Sequence, residues 1–136
     1  MTAIATLKLT DSTDSLLRFA MRADAVLTGL AGIAGIPLTG WMAEISGTTT
    51  TFEYSMSAFF IAYGILVFGL AALPRVKRAG IAVVIGNLLY TVASVVFVLA
   101  DVFPLTTTGV VLTLALGVYT LVFAELQYQG VRRIKR

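Results

Sequence analysis

The chain has 136 residues, 58% of them hydrophobic and only 12% charged, with a formal net charge of +3, and its mean hydropathy is +0.93. A soluble domain carries about 25% charged residues and buries only about two-thirds of the surface its unfolded chain exposes, so this much apolar side chain must face lipid or partners. Cysteine and histidine are absent, which excludes disulfides, thiolate metal sites, thiol redox chemistry and bis-imidazole haem, and removes the usual neutral-pH proton shuttle.

Residues 1–15 are short, mixed and polar, with Lys8, Asp11 and Asp14. They lack the charged, apolar and small-residue regions of a signal peptide and read as a cytoplasmic tail. The Asp-Ser-Thr-Asp-Ser run at 11–15 offers a helix N-cap before Leu16. Four apolar stretches follow, at about 16–42, 54–73, 80–100 and 107–127. Each is close to the ~20 residues that cross a ~30 Å hydrocarbon core as a helix, and none alternates polar and apolar as membrane strands do. Pro37 is expected to kink or fray the last turn of the first span. The short links around 43–53, 74–79 and 101–106 make consecutive helices antiparallel neighbours. The predicted fold is therefore an all-α, up-down-up-down four-helix transmembrane bundle over 16–130, followed by a basic tail at 131–136.

Charge predicts its orientation. Lys8, Arg18, Arg22, Arg75, Lys77, Arg78, Arg132, Arg133, Lys135 and Arg136 all fall on one side of the predicted bundle, while the other carries Glu44, Glu53 and Asp101 and no base. Under the positive-inside rule both termini are cytoplasmic, in a multi-pass protein of the cytoplasmic membrane. So strong a bias argues against the dual insertion used by small multidrug exporters and fluoride channels. The stretch Ala25–Leu38 also lacks the deep first-span carboxylate on which the exporters rely.

Three groups of residues are candidates for more than packing. Ala25, Gly29 and Gly32 in the first span let helix backbones approach closely, either within the bundle or between copies. Asn87, Tyr90, Thr91 and Ser94 in the third span face Thr113, Thr120 and Gln127 of the fourth in the predicted pairing. Asn87 falls roughly 12 Å in from Ala79 at ~1.5 Å per residue, so it needs hydrogen-bonding partners near mid-membrane. The stripe predicts either interhelical hydrogen bonding or a polar pocket for a small solute or lipid headgroup.

Arg18, Arg22, Asp24, Glu125 and Gln127 form the third group, at the basic end. Asp24 is expected about one turn inside the interface. Charges there are costly unless paired, so Arg22–Glu125 or Arg18–Asp24 contacts are predicted. They would act as a clasp between the first and last helices or as a headgroup- or proton-binding site. The polybasic end, attracted to anionic lipid by about 1 kcal/mol per charge, reads as a topology anchor, and nothing accompanies it that would suggest nucleic-acid binding.

The pattern Leu17-Arg18-x3-Arg22-x-Asp24-Ala25-x3-Gly29-x2-Gly32, joined with Glu125-Leu126-Gln127-Tyr128-x-Gly130-x-Arg132-Arg133, resembles a group of small, uncharacterised, four-span bacterial integral membrane proteins. The resemblance implies a prokaryotic cytoplasmic membrane and places the distinctive residues on the first and last helices. It implies no activity. No catalytic, cofactor-binding or metal-ligating set is predicted. The leading expectation is a non-enzymatic accessory, scaffold or homo-oligomeric membrane component that associates through its Gly/Ala faces. The alternative is a small-solute or lipid-binding transporter or channel with a polar interior between spans three and four. An enzyme would have to rely on Asp24 and Glu125 and act on lipid. The expected partners are the bilayer, a second copy or another membrane component, and a lipid ligand.

Overall fold

The structure is a computed structural model that describes residues 13–135. The predicted tail at 1–12, with Lys8 and Asp11, and the terminal Arg136 lie outside the described residues. The first span begins with α1 (Ser15–Gly35), tightens into a 3-10 turn at Ile36–Leu38 and continues as α2 (Thr39–Ser46). Then follow α3 (Thr50–Leu70), α4 (Lys77–Ala100) and α5 (Thr107–Arg132). Four helical runs are long and apolar enough to cross a membrane, and the chain is a multi-pass, all-α bundle.

The helices begin before the apolar stretches expected at 54–73 and 80–100, and the first and last run past theirs, but the second stops at Leu70, three residues short of its expected end. Hydropathy sees only the part of a helix in hydrocarbon, whereas its hydrogen bonding carries on into the polar interface. The first run extends past Pro37 to Ser46, and its 32 residues make it roughly 48 Å long at ~1.5 Å per residue. Pro37 sits at the start of the 3-10 turn, where its missing N–H costs least, so the run tightens there without ending. Gly47, at φ 79°, ends the rod with its amide on the Ala43 carbonyl. Thr49 and Thr106 then cap the following helices by accepting from the Phe52 and Gly109 amides. Asp14 is the N-cap residue of α1, its carbonyl accepting from the Arg18 amide, but its carboxylate makes no cap bond and takes the Arg18 guanidinium at 3.0 Å.

Glycine sets the spacing between helices. α1 packs on α3 through Gly29 and Gly64, where a Cβ on Gly64 would stand 2.7 Å from the Ala25 carbonyl oxygen and 2.9 Å from the Gly29 Cα. Gly32 lies as closely on the Ser57 backbone. The Ala25/Gly29/Gly32 face is thus filled by α3 of the same chain. α1 also touches α5, where a Cβ on Gly130 would lie 2.6 Å from the Leu17 Cα, and α4 packs on α5 where Gly117 receives the Ser94 side chain. The α3–α4 side is held instead by aromatic side chains. Phe52 stacks on Phe97 at 5.3 Å between ring centroids, and Phe60 meets Tyr90 at 6.2 Å. Bulky rings on this one side and glycines on the others leave space in the middle of the bundle.

The two ends differ. Arg18, Arg22, Arg75, Lys77, Arg78 and the α5 terminus lie at one, Glu44, Glu53 and Asp101 at the other. The basic end is packed solid by Leu17, Met21, Val67, Ala71, Val76 and Val83. Lipid-facing side chains such as Ile65 (72% exposed) and Leu99 (78%) cover the outside.

Candidate functional site

Just above that apolar plug sits Asp24, with none of its surface exposed. Its depth follows from helix geometry. It lies nine residues beyond Ser15 on α1, and Asn87 lies ten beyond Lys77 on α4, which is about 14–15 Å in from the basic end on either helix. The carboxylate is therefore level with Asn87, deeper than the single turn expected of it, because the rod carrying it continues well beyond Trp41.

Every other span sends it a donor. Oδ2 accepts from Tyr63 Oη of α3 at 2.7 Å, from Asn87 Nδ2 of α4 at 3.0 Å and from Gln127 Nε2 of α5 at 3.0 Å. Oδ1 accepts from Thr28 Oγ1, one turn along α1, at 3.0 Å and from Tyr119 Oη of α5 at 3.1 Å. A carboxylate is an acceptor at both oxygens, which is why it can gather donors from four helices at one point. Asn87 gives its second hydrogen to Gln127 Oε1 at 2.9 Å, so both amides are oriented by the network. Around Oδ1, Thr28 and Tyr119 also touch each other at 2.8 Å. Three oxygens in mutual contact here share two hydroxyl hydrogens.

Among the described residues no base reaches this carboxylate. Arg18 spends its guanidinium on the end of α3, donating to the Ala71, Leu73 and Pro74 carbonyls at 2.7, 2.6 and 3.1 Å and pairing with Asp14 at 3.0 Å. The Ala71 carbonyl is an orphan of the α3 C-terminus, while those of Leu73 and Pro74 lie in the turn that leads to α4. Arg22 is exposed, and Glu125, also exposed, accepts from Gln129 at 2.8 Å. The predicted Arg18–Asp24 and Arg22–Glu125 contacts are therefore replaced. Of the candidate charge cluster, Asp24 and Gln127 come together in the core, while Arg18, Arg22 and Glu125 stay at the rim. The clasp between first and last helices is a buried hydrogen-bonded hub instead of an ion pair.

The hub floors a cavity. A space of about 320 Å3 lies against Thr28, Tyr63, Asn87, Tyr119 and Thr120. At Ala31, Phe60, Tyr90 and Leu116 it meets a second of about 490 Å3, which runs past Ser94 and Thr113 to Glu53 at the acidic end. Glu53 is held there by the Thr48 hydroxyl. Asn87, Tyr90, Ser94, Thr113 and Thr120, predicted as a polar interior, all line this space. It does not lie between spans three and four, however. Those are zipped together by Thr91 and Thr120 at 2.7 Å, and the cavity occupies the bundle centre with walls from all four spans.

Tyr63, Tyr119 and Thr28 were not singled out from the sequence. Tyr63 and Tyr119 sit in strongly apolar runs where a tyrosine reads as one more aromatic, and only the fold turns their hydroxyls onto one atom. The signal was Asp24 itself, since a buried carboxylate without a base in reach requires donors from elsewhere. Among the described residues no group of three or more His, Cys, Asp or Glu side chains could hold a metal ion. No protein-family profile, curated protein or solved structure matches this chain.

Proposed function

We propose that the chain is a small-solute-binding protein of the cytoplasmic membrane, with both termini on the cytoplasmic side and its cavity facing outward. The observation that carries this reading is a central cavity, walled by all four spans, that ends on a buried, donor-saturated carboxylate. A bundle that needed only to pack would fill this volume with side chains, as the glycine contacts and the apolar plug do elsewhere. Orientation is supported by the basic residues at the plugged end and the carboxylates at the opposite one. A scaffold role has less support, because the Gly/Ala face that would have served it is taken up by α3 of the same chain.

The natural absence of cysteine makes the test direct. Ala93→Cys, on the cavity wall, should react with a small membrane-impermeant cationic methanethiosulfonate added outside intact cells. Val67→Cys, in the plug, should not. Failure of Ala93→Cys to react from either side, or equal labelling of both positions, would refute a solute cavity open to the acidic face.

A further inference from the structure

The lining of the cavity specifies the charge of what it holds. Among the described residues that line it, Glu53 is the one charged group, and there is no lysine or arginine. Asp24 lies one layer behind the floor, with no base bonded to it among the described residues. A solute entering at Glu53 and resting on the floor meets a carboxylate at each end, in a setting where water screens little.

The hydrogen bonds point the same way. Tyr63 donates its one hydrogen inward to Asp24, and Thr28 and Tyr119 have two hydrogens for three contacts. Asn87 has given both of its hydrogens, to Asp24 and Gln127. Thr120 donates to the Gly117 carbonyl at 2.9 Å. What remains directed at the cavity from these groups is lone pairs. The Tyr90 hydroxyl, at the neck, has no partner among the described residues and stands free to meet a solute. At the floor an anion would find acceptors and no free donor, whereas a cation would find polarised oxygens; hydroxyls that can still donate, those of Tyr90, Ser46 and Ser57, lie farther toward the acidic end. The walls between include the aromatic rings of Phe60, Tyr63, Tyr90 and Tyr119, and a desolvated cation over an aromatic face gains further attraction.

We propose that the solute is an amphipathic organic cation, an ammonium group on an aromatic or branched apolar body, admitted at Glu53 and seated with its charge toward the Asp24 hub. This rests on the solute-binding reading above and adds the ligand class. The plug of Leu17, Met21, Val67 and Val76 fills the basic end beyond the hub, so the solute is placed on the acidic side of Asp24.

Three probes of similar size and different charge test it by equilibrium dialysis against the chain in phosphatidylcholine nanodiscs, with empty nanodiscs subtracted. They are radiolabelled phenethyltrimethylammonium, 3-phenylpropan-1-ol and 3-phenylpropionate. Saturable retention of the ammonium is expected, with little of the alcohol and none of the carboxylate. Asp24→Asn, which keeps the hub's hydrogen bonds and removes its charge, should weaken ammonium binding by about tenfold or more. Tyr63→Phe, which keeps the ring, should weaken it less. Equal retention of ammonium and alcohol with no effect of Asp24→Asn, or preference for the carboxylate, would overturn the cation assignment and leave a solute cavity standing. Retention of none of the three, together with labelling of Ala93→Cys that no probe slows, would overturn the solute reading itself.

Discussion

Replacing Asp24 by leucine or by asparagine separates the two things its carboxylate does. Asp24→Leu removes the acceptor from five donors, but three of these have somewhere else to go. Tyr63 can turn to Asn87 Oδ1, already 3.3 Å away, and Thr28 and Tyr119 can bond each other or, for Tyr119, the residue-24 backbone carbonyl at 3.3 Å. One Asn87 hydrogen and the Gln127 amide are stranded. A buried donor without a partner costs about 1–3 kcal/mol, whereas interhelical bonds in membranes average about 0.6 kcal/mol. The two together set the expected loss at roughly 1–6 kcal/mol. Asp24→Asn instead puts its oxygen where three donors converge and its NH2 against the Thr28 and Tyr119 oxygens, which can accept. It also relieves the burial of a charge in hydrocarbon, so its stability should stay within about 1 kcal/mol of the parent. SDS-titration unfolding in mixed micelles measures both. If Asp24→Asn falls as far as Asp24→Leu, the hub is held by charge and the hydrogen-bond account is wrong.

Three further outcomes follow from particular contacts. Gly64→Val forces a Cβ against the backbone of Ala25 and Gly29 and should cost about 1–3 kcal/mol, while Gly86→Ala, with open space around it, should gain up to about 1 kcal/mol of helix propensity; the same SDS titration compares the pair. Arg18→Met uncaps the end of α3 and should raise amide exchange selectively around residues 70–74, with Arg18→Lys recovering part of the protection; uniform exchange across the chain would assign Arg18 a different role. Glu125→Gln touches only an exposed contact with Gln129 and should change stability by no more than about 0.5 kcal/mol; a larger loss would restore the clasp that the side-chain positions replace.

What a single chain determines without folding is what depends on composition along it. Lengths of apolar sequence near ~20 residues admit one regular structure in hydrocarbon, the helix, because each backbone polar group must be satisfied within its own segment. Span number and the packing of span one on two and of three on four could therefore be read from the sequence, and so could the importance of Asn87, Asp24 and Gln127, which no membrane helix carries at depth without partners. Partnership could not be read in the same way. Arg18 and Asp24 lie on one helix, near enough in sequence to suggest a pair, yet helix rotation sends Arg18 to the carbonyls of α3 and Asp24 into the centre. Tyr63 and Tyr119 gain meaning only once four helices bring two hydroxyls and two amides to one carboxylate. The cavity is likewise a property of the assembly: glycines draw α1 to α3 and α5, and α4 to α5, whereas phenylalanines hold α3 away from α4. Hydrophobicity is additive along a sequence, but a hydrogen bond between helices depends on the rotation, tilt and spacing of both, and those are set by every contact in the bundle together.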